Sequence, residues 1–212
     1  MKLSLILNRH VANTMTQNPS EAIRDELLAQ ALPDVVFDGW TWDVVEQAAL
    51  KAGYDKTMAR AVFPGGLSEF VSHLSDWADR QMLEKLAHVD ISAMRVRDRI
   101  HLGVMTRLDV LAPWREPVRR AMTYWTVPTR SLLAARSVWR SADRIWIWAG
   151  DTATDYNHYT KRGLLSGVIS ATTLAWLNDD NSDPEKVSAF LDRRLDHVLK
   201  LGRALGRFKK TA

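Results

Sequence analysis

Two carboxylates and a histidine lie close together in the stretch AGDTATDYNHYTKR, which covers residues 149–162. Asp151 and Asp155 are four residues apart and His158 follows three later, so on one continuous helix these side chains would share a face. Such a set could bind a metal ion or transfer protons. The alternative is that a new helix begins here, with Asp151 or Thr152 as its cap and Asp155 in its first turn.

The rest of the sequence completes neither a metal site nor a catalytic site. His88, His101 and His197 are distant from this stretch in the sequence, and no nucleophile motif or glycine-rich phosphate loop is present. The chain has no cysteine, which excludes disulfides and thiolate metal sites. We therefore favour helix capping for the carboxylates, and we expect no catalytic residue, no metal and no cofactor. The sequence does not predict an enzyme.

The composition is that of a folded globular chain. Of the 212 residues, 46% are hydrophobic and 25% are charged, which argues against disorder. A bilayer-spanning helix needs about 18–20 consecutive apolar residues, and the chain has no such run. The net charge of +4 is too small to indicate nucleic-acid binding on its own.

Helical periodicity dominates the chain, and Gly and Pro fall at the ends of the periodic segments. The pattern predicts an all-α fold of about nine helices. Ser20 is placed to cap the first helix, Thr41 a second helix over residues 42–51, and Asp55 a short third helix that ends at FPGG. The longer helices are predicted at residues 67–87, 91–111, 117–124, 128–148, 154–177 and 184–208.

The second and third predicted helices are a candidate helix-turn-helix. The stretch GYDKTMARAVFPGGLSEF resembles the end of the DNA-binding unit of TetR-type repressors, in which a short recognition helix runs into a Phe, a small turn and a long helix. The phosphate-contacting Tyr of that family falls in register near Arg60, and the Lys after the turn is replaced by Gly65 and Gly66. Only Lys56 and Arg60 remain to contact phosphates. We therefore predict a helix-turn-helix kept as a scaffold, with DNA not expected as a partner.

Tryptophan is abundant in the centre of the chain. On the predicted helix that ends at Trp148, Trp139 and Trp146 share one face with Ala142 and Asp143. The next helix has a stripe of small residues with larger side chains beside it: Gly163, Gly167 and Ser170, beside Leu164, Val168, Ile169 and Thr172. These faces either pack closely in a core or enclose a cavity for an apolar ligand. In the second case the candidate lipid contacts are Trp139, Trp146, Leu164, Val168, Ile169 and Thr172.

The last predicted helix is amphipathic. Its apolar stripe comprises Leu191, Leu195, Val198, Gly202, Leu205 and Phe208, and its basic stripe comprises Arg193, Lys200, Arg203, Arg207 and Lys210. A basic amphipathic helix suits an anionic membrane surface, with Arg203, Arg207 and Lys210 as the expected membrane contacts. The alternative is an ordinary last helix that packs on the domain and has a solvated outer face.

The stretch from Trp139 to about Leu199 resembles a known family. The run WRSADRIWIWAGDTATDYNHYTKRGLLSGVISATTLAWLNDDNSD, followed by FLDRRLDHV, is similar to the signature of the ubiquinone-biosynthesis accessory proteins called the ninth Coq protein. Bacterial members are known as the rpsU-divergently transcribed family. Looser similarity continues upstream through GWTWDVVEQAA, FPGG and MTRLDVLAPWREPVRRA, so the resemblance covers most of the chain after Ile23.

The resemblance implies a TetR-like helical fold that binds an isoprenoid lipid or a phospholipid in its core. It implies a protein that presents quinone intermediates to the di-iron demethoxyubiquinone hydroxylase and is not itself an enzyme. We expect a flexible leader at residues 1–19, a helix-turn-helix-like region at 20–66 and a helical lipid-binding region at 67–212, in a homodimer. The expected location is the cytoplasmic side of a bacterial inner membrane, or the matrix side in a mitochondrion, as a peripheral protein. The rival function is a ligand-responsive TetR-type transcriptional regulator.

The resemblance also implies docking residues for the hydroxylase, namely Asp155, His158, Tyr159 and Arg162. In the family a Trp usually precedes the Tyr of the YTKR run, and here that position is His158. Since aromatic anchors dominate many interfaces, this change is expected to weaken docking. Long family members carry a further amphipathic membrane helix, which is expected to be missing or reduced here.

Overall fold

The structure is a computed structural model that describes residues 19–152, 156–179 and 183–208, with only the backbone described at residues 156–157, 199 and 201–208. The described residues form nine α-helices, two short 3₁₀ helices and no strand. The α-helices are α1 (Pro19–Asp38), α2 (Trp42–Lys51), α3 (Lys56–Val62), α4 (Leu67–Leu86), α5 (Val96–Leu111), α6 (Arg115–Trp125), α7 (Ser131–Trp148), α8 (Tyr156–Asn178) and α9 (Pro184–Phe208). The 3₁₀ helices are Ala112–Trp114 and Pro128–Arg130. The prediction of an all-α fold is confirmed.

The caps of the two short helices are those that the sequence predicts. Thr41 accepts a hydrogen bond on its hydroxyl from the Val44 N–H at 3.3 Å, and Asp55 accepts one from the Thr57 N–H at 2.9 Å. The bond from Thr57 holds the pKa of Asp55 below its ordinary value. Ser20 lies inside α1 and is not its cap, because the helix already includes Pro19.

The predicted helix at residues 91–111 begins five residues later, at Val96. The Asp90 carboxylate accepts a hydrogen bond from the Ser92 N–H at 2.9 Å, and the Met94 N–H donates to the Ile91 carbonyl at 3.1 Å. A side-chain acceptor at this position competes with the helical pattern, so this segment forms a turn.

Two apolar clusters form the core. The first joins the helix-turn-helix region to the rest of the bundle, because Leu27, Phe63 and Phe70 pack in one cluster with Leu108 and Val118. The second cluster joins α4, α5, α7, α8 and α9 around residues such as Met82, Ile145 and Leu191. The helix-turn-helix region therefore shares a core with the bundle that follows it.

The apolar stripe of α9 is used for packing along its first half. Leu191 and Leu195 are buried, and Val198 packs against the second cluster, as expected for an ordinary last helix. The side chains of Arg203 and Arg207 and the whole of Lys210 lie outside the described residues. Within the part of the chain that is described, no helix combines the length and the hydrophobicity that crossing a bilayer requires.

Candidate functional site

A cavity of about 440 Å³ lies among α4, α5, α6, α7 and α8. This volume is in the range of small-molecule sites. Apolar side chains supply most of its wall: Val71, Leu74, Leu111, Val118, Ala121, Met122, Trp125, Ala134, Ala135, Val138, Trp139 and Ile169. A wall of this composition favours an apolar ligand, because such a ligand leaves no polar group unpaired inside.

Of the six predicted lipid contacts, Trp139 and Ile169 line this cavity. On α8 the wall includes two members of the predicted stripe of small residues, Gly167 and Ser170, together with Ser166, Ile169 and Thr173.

The other four predicted lipid contacts are not among the cavity-lining residues. Val168 packs in the second apolar cluster, and Thr172 donates its hydroxyl to the Val168 carbonyl at 2.8 Å. Leu164 is half-buried, and Trp146 donates its indole N–H to the Lys161 carbonyl at 3.1 Å. These four side chains were predicted to contact the ligand from helical spacing. Spacing shows which residues share a face of a helix, but it does not show which neighbouring helix that face meets.

We infer from two of its lining residues that the cavity reaches the surface between α7 and α8. Its lining residues Ala135 and Gly167 are both solvent-exposed. A Cβ atom at Gly167 would meet no other atom within 4 Å, whereas one at Gly163 would lie 3.8 Å from the Trp139 ring. The stripe of small residues therefore has two roles, helix packing at Gly163 and an opening at Gly167.

Polar groups cluster where α4, α5 and α7 meet at the cavity wall. Arg107 donates from Nε to Asp79 at 2.7 Å and from Nη2 to the Ser75 hydroxyl at 2.8 Å. Ser141 donates to the other oxygen of Asp79 at 2.8 Å. Asp79 is fully buried, while Arg107, Ser75, Ser137 and Ser141 all border the cavity. The cavity thus has a charged wall that can form hydrogen bonds, in addition to the hydroxyl-bearing residues Ser166, Ser170 and Thr173 of α8.

Behind this wall, Asp76 on α4 is surrounded by arginines. Arg144 lies 2.9 Å from its carboxylate, Arg80 lies 3.1 Å away and Arg140 lies 3.5 Å away. Burial raises the pKa of Asp76, but Arg144, Arg140 and Arg80 lower it by more, so that its pKa lies below the ordinary value. Asp76 is therefore held as a carboxylate that joins α4 to α7.

The same charged network continues to α1. Asp25 accepts hydrogen bonds from Arg80 at 2.5 and 2.7 Å and contacts the buried His73 ring nitrogen at 2.8 Å. Burial raises the pKa of Asp25, and Arg80 and His73 lower it by more, which leaves it below the ordinary value. This network fastens the helix-turn-helix region to the cavity wall.

Arg162 does not form the exposed docking surface that the resemblance implies. Its side chain is 2% exposed and donates to Asp143 at 2.5 Å and to Asp151 at 3.0 Å. Lys161 contacts the other oxygen of Asp151 at 2.6 Å. Asp151, which with Thr152 was one of the two alternative helix caps predicted from the sequence, therefore has a buried carboxylate that binds both Lys161 and Arg162. A buried charge is stable only when it has partners of opposite charge, and Asp143 and Asp151 are those partners for Arg162. These two ion pairs join the start of α8 to the end of α7.

Tyr159 is exposed, as a docking residue must be. It exposes 64% of its surface, and its ring lies 5.2 Å from that of His158 and 6.3 Å from that of Trp139. Asp155 lies outside the described residues. The described docking candidates therefore comprise the exposed Tyr159, the half-buried His158 and the buried Arg162.

The two basic residues of the candidate recognition helix make intramolecular contacts. Lys56 lies 3.5 Å from the Glu46 carboxylate, and the Arg60 guanidinium lies 4.2 Å above the Trp42 ring. Among the described residues, no group of three or more His, Cys, Asp or Glu is arranged to hold a metal ion.

Sequence reasoning missed the cavity walls that α4, α5 and α6 provide. Ser75 and Arg107 are the functional candidates among them. The signal for Arg107 is a charged residue on a helix face that is otherwise apolar, since Val104 and Leu111 lie three and four residues away and Leu108 is the next residue along the chain. A buried charge of this kind needs a buried partner, here Asp79, which the one-dimensional pattern does not identify.

The amino-acid sequence matches both a protein-family model and individual proteins of known description. Residues 132–202 match the family model described as COQ9. The chain is 28% identical over 198 residues to the rat protein "Ubiquinone biosynthesis protein COQ9, mitochondrial" and 26% identical over 198 residues to the human protein of the same description. Each alignment covers 90% of this chain, but only 63% and 62% of the relatives. The chain therefore spans less than two thirds of the length of these relatives.

A solved structure with a similar fold is the TetR transcriptional regulator from Nitrosomonas europaea ATCC 19718. The TM-score is 0.66 at 19% identity, and the match covers 84% of this chain and 98% of the regulator. At this identity the likeness concerns the fold alone. The predicted resemblance to the ninth Coq protein and the predicted TetR-like fold are both confirmed.

Proposed function

We propose that this chain, in which residues 132–202 match the COQ9 family model within a TetR-like all-α fold, is a lipid-binding accessory protein of ubiquinone biosynthesis. The observation that carries the proposal is the apolar cavity of about 440 Å³, which opens between α7 and α8. The proposed ligand is an isoprenoid quinone intermediate or a phospholipid, with its apolar chain against Leu111, Met122 and Trp125.

The polar head of the ligand is proposed to lie at the hydrogen-bonding wall. A guanidinium has five N–H donors, and Asp79 and Ser75 each accept a hydrogen bond from Arg107. The same guanidinium borders the cavity, where a carbonyl, methoxy or hydroxyl oxygen of a quinone head would accept a further hydrogen bond. Buried donors that lose their partner are costly, so this wall would select a head group with oxygen acceptors.

Such a carrier works by exchange with a membrane and not with water. Each buried methylene is worth about 0.8 kcal/mol relative to water. A polyprenyl chain is already buried in the bilayer, so moving it into an apolar cavity changes the free energy little. Loading and unloading are then both feasible, provided that the opening of the cavity is close to the bilayer. A peripheral position at a membrane follows from this reasoning.

We propose that the protein presents the lipid and does not transform it. The exposed Tyr159 and the half-buried His158, together with Asp155, would contact the demethoxyubiquinone hydroxylase, and the homodimer would form through the later helices. Arg203, Arg207 and Lys210 remain proposed membrane contacts at the C-terminus. The proposed location is peripheral to a bacterial inner membrane, or on the matrix side of a mitochondrion.

Mass spectrometry of an organic extract of the purified protein tests the proposal. We expect a bound isoprenoid lipid or phospholipid, and a loss of that lipid in Gly167→Leu, whose new side chain enters open space at the cavity. Asn178→Leu, on the exposed end of the same helix, is the matched control and should keep the lipid. A protein that carries no lipid and takes up none from quinone-loaded liposomes would contradict the proposal.

The rival function, a DNA-binding regulator, makes a different prediction. We expect no shift of duplex DNA in a gel at low salt, because Lys56 and Arg60 contact Glu46 and Trp42. A shift that Lys56→Glu abolishes would favour the regulator.

A further inference from the structure

Four large apolar side chains are solvent-exposed on the segments that carry the cavity-lining residues. Val127, Leu132, Leu133 and Leu174 expose between 39% and 62% of their surface. Large apolar side chains that cluster on a surface commonly mark a site of contact with a partner or a membrane. We call these four residues the apolar rim.

Two observations place the apolar rim next to the cavity: some rim residues are neighbours of cavity-lining residues in the sequence, and one lies on the same face of a helix. Leu132 and Leu133 immediately precede Ala134 and Ala135, which line the cavity. Leu174 lies seven residues after Gly167, and therefore on the same side of α8 as the opening.

Val127 completes the rim from the connection between α6 and α7. It follows the cavity-lining Trp125 by two residues. A ligand that leaves the cavity through the opening between Ala135 and Gly167 would meet the rim next.

The segment that carries three of the four rim residues has charges of one sign only. Residues 117–142 contain no Asp or Glu and five arginines, namely Arg119, Arg120, Arg130, Arg136 and Arg140. Glu116 pairs with Arg119 and Arg120, and Asp76 pairs with Arg140. Arg136 is exposed and lies three and four residues after Leu133 and Leu132, so it shares their face.

Arg130 adds a second positive charge to this face. Its guanidinium lies 3.9 Å from the centre of the Tyr124 ring, beside the start of α7. An apolar patch with positive charges at its edge is complementary to an anionic bilayer, in which acyl chains lie beneath negatively charged head groups.

We propose that the apolar rim, with Arg130 and Arg136, rests on an anionic bilayer surface and forms the portal through which lipid passes between bilayer and cavity. This inference rests on the proposed function, since a portal needs a lipid to pass. It assigns membrane contact to the connection between α6 and α7 and to the rim of the opening, a surface distinct from the basic end of α9. The acyl chain then moves from one apolar environment to another without crossing water.

Vesicle co-sedimentation of the full chain tests the portal, with phosphatidylglycerol vesicles compared with phosphatidylcholine vesicles. We expect Leu132→Ser combined with Leu133→Ser to weaken binding about tenfold, because apolar contact area is lost. Arg136→Glu should weaken binding to the anionic vesicles alone, by about fivefold. The matched controls should bind as the natural chain does: Ile147→Ser, which is 60% exposed at the other end of α7, and Arg95→Glu, which is exposed at the start of α5.

The rate of quinone uptake from loaded phosphatidylglycerol vesicles provides the second measurement. The double leucine variant should load more slowly but reach the same final lipid content, because the cavity itself is unchanged. Unchanged vesicle binding and uptake in the double variant would overturn the portal while leaving the proposed function intact. A change of oligomeric state in that variant, with vesicle binding unchanged, would overturn it in favour of an interface between copies of the chain.

Absence of lipid from the natural chain under all loading conditions would refute the proposed function itself. Mass spectrometry measures bound lipid and co-sedimentation measures membrane contact, so a failure of the proposed function can be distinguished from a failure of the portal.

Discussion

Arg107 contributes both to stability and to the proposed recognition of a ligand, because its side chain borders the cavity and pairs with the fully buried Asp79. A buried ion pair is weak evidence for stability, but the loss of one partner leaves an uncompensated charge. The pair is therefore best explained by its position, which directs N–H donors towards the cavity.

Arg107→Met should lower the free energy of unfolding by about 3 kcal/mol or more, since Asp79 would lose its main partner. The double variant Arg107→Met with Asp79→Leu should recover most of this loss, because neither charge remains. Urea denaturation measures both. If the double variant is also deficient in quinone-headed lipid while stable, head-group recognition by this wall is supported. Normal quinone content in the stable double variant would contradict it.

Tyr159 is the residue on which hydroxylase docking can be tested most cleanly. Because its side chain is 64% exposed, Tyr159→Ala should change the free energy of unfolding by no more than about 0.5 kcal/mol. A binding hot spot would nevertheless lose about 2 kcal/mol of affinity for the hydroxylase. Calorimetric titration with the purified hydroxylase measures this loss. His158→Trp should tighten the complex, and unaltered affinity in Tyr159→Ala would remove the residue from the interface.

At the scale of elements, the junction of α7 and α8 depends on Arg162. Its side chain is held between Asp143 near the end of α7 and Asp151 beyond it. Gly150 has a φ of 90°, a left-handed conformation that ends α7 and that glycine adopts without strain. Together these features bring the start of α8 back along α7, and so set the position of Tyr159.

Arg162→Ala should lower the free energy of unfolding by about 3 kcal/mol, because two carboxylates lose a buried partner. Lys161→Met is the matched control. Lys161 is partly exposed and Asp151 keeps Arg162, so the change should be less than about 1 kcal/mol. Thermal denaturation of the two variants side by side measures the difference. If the two variants lost the same amount of stability, Arg162 would not be the residue that holds α7 and α8 together.

For the whole molecule, the charged network from Asp25 to Asp76 makes folding sensitive to acid. The pKa of each carboxyl group lies below its ordinary value of 3.8 in the folded protein. The stabilisation is therefore fully present above about pH 4 and is lost as the pH falls through the lowered folded values.

Melting temperatures measured from pH 6 down to pH 2 should fall steeply below about pH 4. Asp25→Asn should flatten this part of the curve, since the variant has one fewer carboxylate to protonate. Asp34→Asn, which removes a carboxylate paired with the half-exposed Lys51, should leave the slope unchanged. A curve for Asp25→Asn that parallels that of the natural chain would contradict the role of this network.

The sequence by itself determined the helical class, most helix ends and the family resemblance. Helix caps depend on neighbours along the chain, so Thr41 and Asp55 could be assigned from local chemistry alone. The run around residues 139–199 is long enough to carry the resemblance to the ninth Coq protein without knowledge of any contact.

Only the tertiary structure decided which side chains meet. Helical spacing identified the faces of α7 and α8, but the neighbour of each face depends on how the helices pack. For this reason Trp139 lines the cavity while Val168 lies in the core. Arg162 was expected on a docking surface because the family resemblance implied one at this position. Its burial depends on Asp143, nineteen residues earlier in the chain, and contacts over such distances exist only once the chain has folded.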